Sequence, residues 1–252
     1  RTMKRMRKFA AGLALFLAGF VWNGKTAAAE DILNITIGTD AEPVGASALT
    51  ILLMITVLSL APAILVLMTS FTRIVIVLGF VRTSLGTQQT PPTQVLIGLA
   101  LFLTLFIMAP TLSKVNEEAV QPYLSGQISQ TEALERAAIP MKEFMYKHTR
   151  EKDLLLFLNY AKAEKPATYA DIPLTVLIPS FALSEIKTAF QMGFMIFVPF
   201  LVIDMVVAST LMAMGMLMLP PVMISLPFKI LLFVLVDGWY LVVKSLLSSF
   251  QT

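Results

Sequence analysis

The chain has no cysteine among its 252 residues, which excludes disulfides, thiolate nucleophiles, thiolate metal sites and cysteine-based redox switching. Its single histidine, His148, stands beside Lys147 and Arg150, a poor setting for a metal ligand. No glycine-rich phosphate loop, His-rich metal spacing or Ser/His/Asp grouping can be assembled. Covalent chemistry therefore has no visible home, and the chain reads as a protein that is not an enzyme and needs no cofactor and no metal. Charge is scarce as well, at 14% of residues against about 25% in soluble domains. Six of the 19 cations (Arg1, Lys4, Arg5, Arg7, Lys8 and Lys25) fall in the first 29 residues, leaving 13 against 16 acids, a net of −3. That balance gives no nucleic-acid footprint.

What is abundant is apolar surface: 57% of residues are hydrophobic and the mean hydropathy is +0.79, the composition of a membrane protein. Residues 1–29 read as a secretory signal peptide. A basic stretch from Lys4 to Lys8 precedes an apolar run from Phe9 to Val21, and Ala27-Ala28-Ala29 gives a cleavage site after Ala29. The run is shorter than the roughly 20 residues a span needs; an uncleaved first helix is the alternative. A polar segment, 30–45, follows. The apolar stretch Ala46–Met68, interrupted by Pro62, reads as a first span, and Val95–Leu112 as a second, so that 46–112 makes a helical hairpin. Residues 69–94 hold Arg73 and Arg82 without an acid, which marks them as a cytoplasmic loop.

Mixed charge sets 113–171 apart as a small helical extracytoplasmic domain. Ser129 and Glu132 make a capping box, Pro140 ends that helix, and a second helix covers Glu151 to Ala163. From Ile172 the chain is apolar again, broken by Pro179, Pro199, Pro220, Pro221 and Pro227. Two hairpin-forming units are expected within 172–252, at 172–219 and 228–248. Prolines at membrane depth free carbonyls that something must satisfy, which favours broken helices buried against other protein. The fold class is all-α.

Glu185, Lys187, Asp204, Lys229 and Asp237 interrupt this greasy region. Each is costly in lipid unless paired or turned to a wet interior, so pairing between helices or between copies is expected. The plain alternative is that Glu185 and Lys187 snorkel at a surface. Met212, Met214, Met216 and Met218 crowd around Gly215 just before Pro220-Pro221. Soft thioethers suit either ordinary packing or a deformable plug.

Several stretches converge on one family. Leu58–Ala63, Thr69–Arg73, Leu85–Pro92 and Val95–Leu103, together with Pro179–Phe190 and Pro227-Phe-Lys229 through Asp237-Gly-Trp239, resemble the FliP family of flagellar type III export-gate subunits, related to the SctR subunits of injectisomes. The resemblance covers nearly everything from Ala46 to Phe250 except 113–171. It implies a homo-oligomer, pentameric by the family's pattern, that forms with FliQ and FliR a helical gate in the bacterial inner membrane, at the flagellar basal body. FlhA and FlhB are further partners, and unfolded flagellar proteins are the substrates. It also implies that Met216, Leu217 and Met218 form a gasket loop, Leu217 being a departure from three methionines in a row, and that Glu185 and Lys229 join neighbouring subunits. The family's assembled members stand largely above the bilayer plane, so hydropathy overstates the spans. The rival class is a small secondary transporter or ion-channel subunit, using the embedded charges as an ion path.

Overall fold

A computed structural model of the chain describes residues 62–87, 89–162, 166, 168–216 and 218–251, with residues 52, 55, 56, 59 and 60 before them. The signal peptide, the polar segment 30–45, the start of the first span and Leu217 lie outside the described residues. Ile55–Thr252 is one compact unit, and among the described residues it is helical with no strand.

Helix α1 (Pro62–Met68) meets α2 (Phe71–Ser84) at a 79° bend. This corrects the expectation of a loop over 69–94. Arg73, Ile74, Val77, Leu78, Val81 and Ser84 are buried along one face of α2, the stripe of a helix whose i, i+4 positions face a core. Only the Gly86–Pro92 part is the expected turn, with Gly86 at φ 76°.

Helix α3 (Thr93–Val115) buries Leu96, Ala100, Thr104 and Met108, a narrow stripe repeating every four residues. It continues without a break through a π-helical turn (Asn116–Val120) into the short α4 (Gln121–Leu124). The compositional boundary at 113 thus falls inside one helix.

Helix α5 (Gln130–His148) starts where Ser129 Oγ accepts from the Glu132 N–H at 3.3 Å. The Glu132 carboxylate pairs with Arg136 at 2.6 Å. Pro140, expected to end this helix, lies buried within it; it forgoes one backbone hydrogen bond while the packed face of the helix keeps its direction. Helix α6 (Glu151–Ala161) ends at Lys162, which takes the left-handed conformation.

After a 3-10 turn (Tyr169–Asp171), α7 runs for 40 residues, Leu174–Ala213, through Pro179 and Pro199. It replaces the hairpin expected over 172–219. The Thr175 and Met195 carbonyls lose their helical donors to these two prolines, and packing along the rest of α7 keeps the helix continuous. Helix α8 (Pro221–Leu235) starts with Pro221 in its first turn and contains Pro227. It meets α9 (Gly238–Ser248) at a 62° bend, with Asp237 in the left-handed conformation between them. That pair is a bent helix rather than a returning hairpin.

Two cores are stitched together by α3 and α7. One gathers Ile74, Val77, Leu78 and Val81 of α2 with Ala100, Ala189, Phe200, Phe233 and Leu246. The other sets Met108 and Phe181 against Phe144, Met145, Leu154 and Leu158, so α5 and α6 pack directly on α7. Small residues let the backbones approach, as between membrane helices generally: a Cβ on Gly193 would lie 2.3 Å from the Phe80 ring.

The far half of α7 is thinly covered, with Ile203 packed on the core and Asp204 held by the helix that follows. Nothing beyond Phe200 on that helix is buried, and Val202, Met205 and Val206 are exposed. Among the described residues, two continuous helices, Thr93–Leu124 and Leu174–Ala213, are long and apolar enough to cross a membrane, or four if each bent pair counts as one span.

Candidate functional site

Glu185, Lys187, Asp204 and Lys229 are held in ion pairs within the chain. Arg73 donates through Nε to Glu185 Oε2 at 2.9 Å and through Nη2 to Glu185 Oε1. Its Nη1 donates to the carbonyl and Oγ of Ser249, each at 3.0 Å, and its guanidinium lies 3.9 Å from the centre of the Phe250 ring. Glu185 is fully buried and Arg73 is 3% exposed. A planar guanidinium with a fork of donors suits this post, where one cation must serve α2, α7 and the chain end together.

A polar seam continues one turn further along α7. Ser184 Oγ accepts from the Arg150 backbone N–H at 3.0 Å and donates to Asp153 Oδ2 at 2.8 Å. Lys187 pairs with Asp153 Oδ1. Arg150 Nη2 reaches Thr188 Oγ1 at 2.9 Å and Gln191 Oε1 at 2.6 Å. Burial pushes the Asp153 carboxyl up, but the hydrogen bonds from Lys187 and Ser184 prevail and hold it below its ordinary value. Glu143, held by Lys147 and Lys114, is lowered too.

His148 packs edge-on against Phe144 and Phe250, 4.8 and 5.1 Å between ring centres. Burial, with the Arg73 and Lys147 charges nearby, brings its pKa down to about 4.

Lys229 donates to Asp204 Oδ2 at 2.6 Å, and Ser225 Oγ donates to Asp204 Oδ1 at 2.5 Å. Lys229 is 3% exposed and Ser225 fully buried, so this triad clamps α8 onto the far half of α7, about three-quarters of the way along it. Glu185 and Lys229, expected to meet between copies, thus each have a partner inside the protomer. The two pairs are attached to α7 at residues 185 and 204, about 28 Å apart at 1.5 Å per residue. Of the other charges expected to be buried, Asp204 is only partly so, its side chain 24% exposed, the Lys187 side chain is 47% exposed, and Asp237 is exposed at the α8–α9 bend.

The methionine loop is held open by its backbone. The Met216 N–H donates to the Leu211 carbonyl and the Gly215 N–H to the Met212 carbonyl, both at 3.0 Å, with Gly215 at φ 77°. This paired closure with a left-handed glycine ends α7 abruptly. Pro220 and Pro221 then start α8. Met216 and Met218 are placed at the surface of the protomer, Met218 at 98% exposure.

Arg73, Asp153, Ser184 and Ser225 were not singled out from the sequence. The signal for Arg73 was present: it shares a helical stripe with Val77 and Val81, within a run that has no acid of its own. Among the described residues, no three His, Asp or Glu side chains lie together as a metal site.

The sequence matches the FliP family over residues 54–246. It is 68% identical over 220 residues to the Flagellar biosynthetic protein FliP of Bacillus subtilis, covering 87% of this chain and 99% of that one. The protein of the same name from Caulobacter vibrioides is 52% identical over 227 residues, covering 89% of this chain and 84% of the relative. That of Aquifex aeolicus is 53% identical over 203 residues, covering 80% and 85%.

Proposed function

The chain belongs to the FliP family, and from that premise we propose that it is a core subunit of the flagellar protein-export gate. As a family member it is a membrane-associated component of flagellar biosynthesis and not an enzyme. In the proposed assembly, several copies with FliQ and FliR enclose a path through which unfolded flagellar subunits cross the inner membrane. FlhA and FlhB complete the apparatus.

The carrying observation is the length of α7 and the thin cover over its far half. Forty residues at 1.5 Å each make a helix of about 60 Å, twice the roughly 30 Å hydrocarbon core. Fitting it inside lipid would need a tilt near 60°, beyond the 0–40° range of membrane helices. Part of this apolar helix must therefore lie outside the acyl chains, and there it needs protein to cover it. Copies of the same chain and small helical partners are the economical cover.

At the far end of this helix hangs the methionine loop. Met216, Leu217 and Met218 from each copy ring the path and seal it, a soft apolar ring being able to exclude ions and yet deform around a chain. The contact between Glu185 of one copy and Lys229 of the next belongs to this assembly as a separate proposal, and it competes with the pairs formed inside the protomer.

The test is ion flux through vesicles holding the complex with FliQ and FliR. Replacing Met216, Leu217 and Met218 together by glycine raises leakage of the resting complex. Unchanged leakage rejects the seal, and a chain that stays monomeric in native mass spectrometry with FliQ and FliR present rejects the gate.

A further inference from the structure

Met212, Met214, Met216 and Met218 stand at alternate positions around the α7–α8 connection, 59%, 69%, 43% and 98% exposed. With no cysteine in the chain, methionine thioethers are its only sulfur. Met108 and Met145, in contrast, are 1% and 0% exposed. We propose that the thioethers of this loop are an oxidation site, where a peroxide turns the sealing surface polar and makes the path leak until the sulfoxides are reduced. This rests on the seal reading given above.

The chemistry balances simply. A sulfur lone pair attacks one peroxide oxygen, an S–O bond forms, the O–O bond breaks and water leaves. Sulfur is oxidised by two electrons and the peroxide is reduced by two. Reversal takes a methionine sulfoxide reductase and two thiols, which end as a disulfide with release of water.

The loop is a better target than the other exposed methionines. Met195 and Met205 are 73% and 65% exposed in the protomer, but they lie on α7, whose apolar flank is covered by lipid or protein in the membrane. Peroxide is polar and stays in water. The loop methionines, in contrast, are held away from any core by the left-handed Gly215 closure and the double proline.

The consequence follows from what the loop lacks. Between Leu211 and Pro221 no side chain can donate a hydrogen bond, and the two prolines have no N–H. A sulfoxide oxygen pressed into such a ring finds no side-chain donor there, and a polar group left unsatisfied in an apolar setting is costly. Oxidation therefore draws water into the seal.

The experiment uses the complex with FliQ and FliR in vesicles, treated with hydrogen peroxide. Peptide mass spectrometry follows each sulfoxide, and ion leakage is measured before and after. Met216 and Met218 are expected to oxidise roughly tenfold faster than Met108 and Met145, and ahead of Met195 and Met205. Leakage rises severalfold and falls again with methionine sulfoxide reductases A and B plus a dithiol. In the Met216→Leu, Met218→Leu double variant the ratio of leakage after to before peroxide stays near one.

Sulfoxides spread evenly over the methionines overturn the site, and sulfoxides at 216 and 218 with unchanged leakage overturn the consequence. If the glycine variant fails to leak, the seal reading falls and the leak with it, whereas the order of sulfoxide formation judges the site independently.

Discussion

Arg73 and Glu185, 112 residues apart in sequence, form a two-pronged ion pair that is almost wholly shielded from solvent. Removing one partner strands the other. Glu185→Gln or Arg73→Met is therefore expected to cost about 3–5 kcal/mol, the range for breaking a buried pair. Arg73→Lys recovers little, because an ammonium cannot serve Glu185, Ser249 and Phe250 together. Thermal unfolding of the detergent-solubilised protein measures the loss; a shift no larger than that of an exposed control such as Arg136→Ala would discard the structural role.

Charge exchange separates the two assignments of these ions. If the pairs inside the protomer govern, the Arg73→Glu, Glu185→Arg double variant regains some of the stability that each single change loses. Glu185→Lys with Lys229→Glu then gains nothing over its singles. Should copies instead meet through Glu185 and Lys229, the second combination restores assembly, read as oligomer yield in native mass spectrometry.

Asp204, Ser225 and Lys229 form the second clamp, and their costs should differ in kind. Asp204→Ala leaves a buried ammonium unpaired and costs about 3–5 kcal/mol, while Ser225→Ala removes one hydrogen bond worth about 1 kcal/mol. Replacing both ions with apolar groups of similar size, Asp204→Leu with Lys229→Met, recovers most of the loss. Equal melting temperatures for the Asp204 and Ser225 single variants would contradict this ranking.

Gly193 is occupied from outside by the Phe80 ring, which also meets Phe190 edge-on at 5.2 Å. Gly193→Ala inserts a methyl where 2.3 Å is available and is expected to cost about 1–3 kcal/mol through overpacking. Phe80→Leu should relieve part of that penalty, measured as a non-additive double-mutant cycle. Additivity would show that the ring is not the obstacle.

Acid should loosen the junction of α5 with the chain end. The His148 pKa, about 4 in the fold, lies below its ordinary value near 6.5, so the unfolded chain binds the proton more readily. Its contribution is fully present above pH 6.5, falls as the pH drops from there to about 4, and is constant below. The lowered Asp153 carboxyl contributes above its unfolded pKa and loses that contribution only at still lower pH. His148→Phe removes the first loss and keeps the second, so its stability between pH 6.5 and 4 should be flatter than that of the unaltered chain. Parallel curves would remove His148 from this role.

Some of this was legible residue by residue. Ser129 at a helix start and a break in the helices before the double proline follow from backbone chemistry that operates over a few residues. Local rules misplaced Pro140, Pro179 and Pro199, because a proline's lost hydrogen bond is a local cost that packing along the rest of the helix outweighs. They also put Arg73 in a cytoplasmic loop, since a cation in an apolar run looks like a border when its acid is 112 positions away.

The sequence by itself determined that the chain is helical and membrane-associated, through the length of its apolar runs, and that it has no thiol chemistry, because these depend on which residues follow one another and not on where they meet in space. Partner choice among the charges was decided by tertiary structure. Glu185 could be drawn to any cation in the sequence, and only the packing of α2 across α7 brings Arg73 to it, while 19 positions along the same helix Asp204 takes Lys229. Coulomb attraction falls with distance and strengthens with burial, and both of those quantities come into being only when the helices pack.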